Sequence, residues 1–123
     1  MKINTLYTTD EHDAGSEVEI TDFSGEPTGL FIKVCGVDSK KFRDRAKIQQ
    51  KAYVEAFRAE KDFDDDEIQL ETLVECTLGW KGTDEKFSKK LCKELYLKAP
   101  YVRDQIDRFM GDRSNFTKAK PKK

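Results

Sequence analysis

The 123-residue sequence has one histidine, one tryptophan and three prolines, and no long apolar run. A Cys–His or Ser–His–Asp catalytic arrangement would have to recruit His12, which the sequence places in an acidic N-terminal loop. Neither a Walker A sequence nor a Gly-rich dinucleotide motif is present. We therefore predict that the protein is not an enzyme and that it has no catalytic residues and no cofactor.

Cysteine and apolar segments are also scarce. Cys35, Cys76 and Cys92 are odd in number and widely spaced, which is typical of small buried thiols in a reducing compartment rather than of a disulfide framework or a zinc site. No segment approaches the roughly 20 apolar residues of a membrane span, and the N-terminus lacks the apolar run of a signal peptide. The sequence thus predicts a soluble, intracellular protein with no membrane partner.

Charge, in contrast, is abundant: 38% of the residues are charged, with a formal net charge of −1. It occurs in blocks. Residues 10–26 hold seven acidic side chains and no Lys or Arg, residues 62–67 hold five acidic side chains, and residues 118–123 hold four lysines. Since the whole chain has no basic field to attract phosphate, the composition argues against nucleic acid as a partner.

The acidic block in the middle of the chain is the best candidate for a metal site. Asp62, Asp64 and Asp66 alternate as Ca²⁺ ligands do. An EF-hand loop that began at Asp62 would need Gly and Glu at positions that hold Glu67 and Leu73. We therefore interpret these carboxylates as helix caps and expect no metal.

Apolar patterning predicts an α+β fold that is mainly α. Val18 and Ile20 alternate with charged residues, the turn-forming segment SGEPTG follows, and LFIKVCG completes a β-hairpin from Glu17 to Cys35. The N-terminal segment MKINTLYTT is a candidate third strand. We expect one globular domain at residues 1–116, with strands in 1–36 and helices in 37–116, and a flexible Lys-rich tail at 117–123.

Spacings of three and four between apolar residues predict about four packed helices after the hairpin. The first carries a core-facing stripe that includes Phe42, Ala46, Tyr53, Ala56 and Phe57. The first expected helix runs from Asp38 or Ser39 to about Glu60, and the second covers EIQLETLVECTLGW and stops at Gly79. The third runs from about Asp84 to Ala99, and the fourth from Pro100 to Gly111.

Two aromatic residues stand out near the helix ends. Trp80 follows the expected stop at Gly79, and it either closes the core over that helix end or forms an aromatic anchor at a protein interface. Phe116 precedes the terminal lysines and is expected to pack the chain end against the last helix. The ending RSNFTKAKPKK also offers a limited basic and aromatic pattern of the kind that binds nucleic acid.

Three segments, in this order along the chain, resemble the tail assembly chaperones of long-tailed, siphovirus-type bacteriophages. They are GLFIKVCGVDS, ETLVECTLGWKG and KFSKKLCKELYLKAPYVRDQIDRFMGDRSNF. The resemblance covers about residues 29–118. It implies a helical, self-associating protein that coats the tape measure protein in the host cytoplasm and is absent from the mature virion. The tape measure protein of such phages is encoded just downstream of the chaperone. The matching positions look structural or interfacial: Gly36, Asp38, Ser39, Gly79, Trp80, Gly82 and Phe116.

The resemblance also implies a longer product, because many such proteins are extended by a programmed ribosomal frameshift near the end of the short form. The added domain recruits the major tail tube protein. Here Pro121-Lys122-Lys123 can be encoded with a slippery run of A, which makes the Lys-rich tail a candidate joint. Two alternatives stay open: a small DNA-binding regulator that uses the basic tail, and a structural component of the phage tail or neck.

Overall fold

A computed structural model describes residues 1–117, so the expected Lys-rich tail lies, apart from Thr117, outside the described residues. Within residues 1–117 the fold is α+β, with five α-helices and one three-stranded antiparallel sheet, which confirms the predicted class. In chain order the elements are a 3₁₀ turn (Ile3–Leu6), α1 (Thr9–Ala14), β1 (Ser16–Thr21), β2 (Pro27–Val34), α2 (Lys40–Arg58), α3 (Asp65–Cys76), β3 (Thr77–Lys81), α4 (Lys89–Lys98), α5 (Pro100–Gly111) and a second 3₁₀ turn (Arg113–Phe116).

The predicted β-hairpin forms the first two strands of the sheet. Val18 of β1 lies opposite Ile32 of β2, and Ile32 lies opposite Trp80 of β3 on the other side. Because side chains alternate along a strand, these three residues share one face of the sheet, and Ile32 on that face is fully buried. The core joins this face to the buried sides of α3, α4 and α5, which include Leu70, Leu73, Cys92, Tyr96, Val102, Ile106 and Met110.

The third strand is β3, so the prediction of a strand in MKINTLYTT was wrong. The helix expected to stop at Gly79 was also placed wrongly, because it ends at Cys76 and the chain passes directly into β3. Pairing with β2 is a long-range contact that local apolar periodicity does not report. Gly79 is therefore a strand residue, opposite Lys33 in the register.

A lysine side chain stabilises the abrupt change from α3 to β3. Lys89 Nζ donates to the backbone carbonyls of Val74, Glu75 and Thr77 at 3.0, 3.1 and 3.0 Å. These carbonyls lie at the C-terminal end of α3, where a helix has no backbone donors of its own to offer and where positive charge is favoured. Lys89 also begins α4, which starts there rather than near Asp84 as predicted.

The helices α2 and α3 form an antiparallel pair with side-chain caps at both starts. Ser39 Oγ accepts from the backbone N–H of Phe42 at 3.1 Å, and Asp64 Oδ1 accepts from that of Glu67 at 3.0 Å. Both caps satisfy backbone donors that the first helical turn leaves open. The predicted capping role of the acidic block is confirmed at Asp64.

His12 lies in α1 and is fully buried, so its predicted place in an acidic N-terminal loop was wrong. Its Nδ1 accepts from the backbone N–H of Asp38 at 3.1 Å, and its ring stacks on Phe116 with centroids 4.8 Å apart. A Cβ at Gly36 would overlap the imidazole, so a glycine is required beside it. This cluster fastens α1 to the start of α2 and to the C-terminal turn.

Candidate binding surfaces

Among the positions that the sequence singled out, the structure brings Gly79, Trp80 and Gly82 together. Gly79 and Trp80 lie in β3, and Gly82 follows it directly. Gly82 has a φ of +94°, and a Cβ there would overlap the carbonyl oxygen of Gly29, so this turn requires glycine. Phe116 is separate from these three: it is buried and packs against His12 and against Phe109, with Phe109 at 5.6 Å between ring centroids.

Trp80 is half-buried and held from two directions. Its indole N–H donates to the backbone carbonyl of Glu85 at 2.9 Å, and its ring packs edge-on against Phe87 at 5.1 Å. One side faces a mainly apolar groove of about 250 Å³, which we call the Trp80 groove. Trp80 therefore packs against the core and also lines this opening. The groove is lined by Leu30, Trp80, Thr83, Glu85, Leu91, Glu94, Leu95, Lys98 and Ala99.

The polar rim of the Trp80 groove is internally paired. Lys98 Nζ donates to Glu94 Oε2 at 2.9 Å, and this hydrogen bond holds the pKa of Glu94 below its ordinary value. Thr83 Oγ1 donates to Glu85 Oε1 at 2.6 Å. The groove thus offers an apolar floor and a rim whose polar side chains already have partners, which suit an apolar side chain.

The second surface lies on α2, and the sequence did not single it out. None of the 19 residues of α2 is buried. The prediction of a core-facing stripe was wrong in part: Phe42 and Ala56 are half-buried, whereas Ala46 is exposed and Tyr53 and Phe57 are 56% and 68% exposed. The apolar periodicity predicted the helix, but it does not report how much of the apolar side a neighbouring element covers.

The open side results from a difference in length between the two helices. Gln49 Nε2 donates to Oδ1 of Asp65, the first residue of α3, at 2.8 Å. Residues 50–58 therefore extend beyond the start of α3, by about 14 Å at 1.5 Å per residue. The loop after α2 returns along this extension, and Phe63 packs edge-on against Tyr53 at 5.3 Å.

Between α2 and this loop lies a shallow depression of about 590 Å³. Tyr53 and Phe63 supply its aromatic part. Phe57, one helical turn beyond Tyr53, continues the exposed apolar stripe. We call the whole area the α2 surface; it consists of Ala46, Gln49, Gln50, Tyr53, Phe57, Phe63 and Asp65.

The helix that carries this surface is strongly basic. It has seven Lys or Arg residues and two acidic ones. Lys47, Lys51 and Arg58 follow at spacings of four and seven and so lie on one side of α2. In the part of the chain that the structure describes, none of the three forms an ion pair. We call these three residues the basic ridge.

The three cysteines and Tyr96 are ionisable groups buried in the core. Cys35, Cys76 and Cys92 are free and buried, as predicted, and burial raises the pKa of the Cys92 thiol. Burial likewise raises the pKa of Tyr96, whose hydroxyl shares a 2.7 Å hydrogen bond with Thr77 Oγ1. Residues 1–117 contain no cluster of three or more His, Cys, Asp or Glu that could hold a metal ion.

Comparison with protein-family models, with curated proteins and with solved structures gives no match to this chain. The helices of the described residues are all too short or too polar to cross a bilayer. The two surfaces, and chiefly the one on α2, are therefore the candidate binding sites of the described residues.

Proposed function

We propose that the protein is a phage tail assembly chaperone that binds helical segments of the tape measure protein along the α2 surface. The observation that carries the proposal is that α2 is 19 residues long and has no buried residue. An amphipathic helix with an open apolar stripe gains free energy when a second helix covers it. The sequence resemblance supplies the identity of the client.

The affinity of one such contact is expected to be modest. Complete burial of a large apolar side chain such as Phe57 contributes roughly 1.5–3 kcal/mol, and association costs offset much of this gain. A long client that repeats its apolar stripe offers many such sites, so many weakly bound copies would coat it. Charged outer faces, with 38% charged residues in the whole chain, would keep that coat dispersed.

We propose two further partners, a second copy of the chain and the major tail tube protein. Self-association would place neighbouring copies along one client, and the Trp80 groove is a surface available for such a contact. Recruitment of the major tail tube protein would belong to a longer frameshift product. The chaperone would act in the host cytoplasm and leave before the virion is complete.

Co-expression with a fragment of the tape measure protein tests the proposal. The wild-type chain is expected to keep an otherwise insoluble fragment in solution, and Tyr53→Ser/Phe57→Ser is expected to lose this ability while it stays folded. Phe23→Ser is the matched control, because Phe23 is an 88% exposed phenylalanine outside α2. A folded wild-type chain that leaves the fragment insoluble would contradict the proposal.

Mass spectrometry of purified virions separates the chaperone from a structural component of the tail or neck. The chaperone is expected to be absent from the particles although it is abundant in infected cells. Stoichiometric amounts in the virion would favour the structural alternative.

A further inference from the structure

We infer that the α2 surface selects acidic amphipathic helices, whose carboxylates pair with Lys47, Lys51 and Arg58. The inference rests on the proposed function and specifies the chemistry of the client at the same surface. It comes from the charge pattern around the apolar stripe, independently of the identity of the client.

The basic ridge lies directly beside the apolar stripe of α2. Successive residues of a helix are turned by about 100°, so Lys47 and Arg58 each lie beside a residue of the apolar stripe, Ala46 and Phe57. A helix that packs on the stripe would have its flanking positions next to the ridge. Lys and Arg have long aliphatic stems that reach such a flank while the charged group stays solvated.

The ridge residues lie within no ion pair of the described chain, although, after the larger effect of Lys40, the charge of Lys47 helps to lower the pKa of Asp44. Two of the four other basic residues of α2 form ion pairs: Lys40 with Asp44 at 2.8 Å, and Arg45 with Glu71 at 3.6 Å. The ridge residues are exposed and form no ion pair among the described residues. Positive charge beside an apolar stripe favours a partner with carboxylates at the matching positions.

The opposite border of the α2 surface is acidic, and two of its carboxylates have donors within the protein. Asp65 accepts from Gln49 and from Gln69, each at 2.8 Å, and Asp66 is paired with Arg103 at 3.1 Å. The two borders therefore differ in sign: one carries the positive charges of the ridge, and the other carries carboxylates, of which Asp65 and Asp66 already have donors. A client helix with its carboxylates on one flank matches this asymmetry.

Two other occupants fit this charge pattern less well. A second copy that packed its α2 antiparallel on the first would place basic ridge against basic ridge, and like charges repel. An anionic bilayer would lie across both borders and so meet the carboxylates of the acidic loop as well as the ridge. A single acidic helix avoids both conflicts.

The test uses two synthetic amphipathic peptides that share one apolar stripe and differ in having Glu or Lys at the flanking positions. By fluorescence anisotropy, the wild-type chain is expected to bind the Glu peptide about tenfold more tightly than the Lys peptide, and added salt should weaken this preference. Lys47→Glu/Lys51→Glu/Arg58→Glu is expected to reverse the preference. Lys33→Glu/Lys86→Glu/Lys90→Glu, with the same charge change on other elements, should not.

The outcomes distinguish the inference from the proposed function. Equal binding of the two peptides by the wild-type chain, unchanged by reversal of the ridge, would overturn the inference and leave helix binding intact. Binding of neither peptide, together with failure to solubilise the tape measure fragment, would overturn both. Preferential binding to phosphatidylserine vesicles would replace the acidic helix with a bilayer, and dimers in sedimentation that Tyr53→Ser/Phe57→Ser abolishes would replace it with a second copy.

Discussion

The helices α2 and α3 are adjacent in sequence and pack side by side, yet the fold uses them differently. The 12-residue α3 buries five side chains, including Leu70 and Cys76, whereas the 19-residue α2 buries none. α3 lies between α2 and the rest of the core, so its apolar residues are covered from several sides. The difference shows that length and amphipathicity produce a helix but do not determine how much of it the protein itself covers.

The start of α2 is anchored by buried and paired side chains. The capping Ser39 is only 1% exposed, and the preceding Asp38 is held by Arg113 through hydrogen bonds of 2.7 and 3.1 Å. The other end extends past α3 with its aromatic side chains open. An anchored start and an open end are what a surface needs if it is to be ordered before a partner arrives.

The largest effect is expected from a truncation in α3. Leu70 is fully buried, so Leu70→Ala should lower the free energy of unfolding by about 2–5 kcal/mol, through lost burial and the cavity left behind. Ile48→Ala in α2, at a side chain 49% exposed, should cost under about 1 kcal/mol. Chemical denaturation followed by Trp80 fluorescence measures both, and similar losses would contradict the contrast between the two helices.

The next largest loss of stability is expected at the C-terminal end of α3. Lys89→Met removes the ammonium group that donates to three carbonyls there, and should lower the free energy of unfolding by about 1–2 kcal/mol. Lys90→Met, at the neighbouring exposed lysine, is the control and should have little effect. If the two variants unfold at the same denaturant concentration, the hydrogen bonds from Lys89 at the junction of α3 and β3 do not contribute to the stability of the fold.

The anchored start of α2 should give a pH-dependent effect. The hydrogen bonds from Arg113 hold the pKa of Asp38 below its ordinary value of 3.8. Because the folded-state pKa is the lower one, the pair stabilises the fold above the unfolded-state value and loses this contribution as pH falls through the folded-state value. Asp38→Asn should therefore be less stable than wild type at pH 7, by under about 1 kcal/mol for a pair near the surface.

That difference should shrink in denaturation experiments carried out at successively lower pH, beginning near pH 4. Asp44→Asn is the comparison within α2: the hydrogen bond from Lys40 also lowers the pKa of Asp44, but this exposed pair spans a single turn and does not tie α2 to another element, so its effect should be smaller. A stability difference for Asp38→Asn that stays constant down to acid pH would show that Arg113 does not act through the charge.

The smallest effect on stability is expected at the open end of α2. Phe57→Ser changes a side chain that is 68% exposed, so the free energy of unfolding should change by under about 0.5 kcal/mol. The same substitution should measurably weaken binding of a helical client. A large loss of stability would mean that Phe57 supports the fold, and the contrast between α2 and α3 would then lose its functional meaning.

Much of the fold was predictable because its signals are local. The alternation at Val18 and Ile20 indicated β1, and Pro100 and Gly111 marked the two ends of α5. The candidate sites were less predictable. Trp80 is an obvious residue, but the groove beside it requires Leu30 and Leu91, which come from different elements and meet only in the folded chain.

The sequence by itself determined the α+β class and the hairpin, and it narrowed the start of α2 to Asp38 or Ser39 and the start of α3 to the acidic block, because propensity, capping and short-range periodicity act over a few residues. Only the tertiary structure decided that β3 continues α3 as a strand, that His12 is buried, and that α2 keeps an open side. Each of these depends on which distant segment covers a residue, and coverage is a property of packing that no local pattern contains.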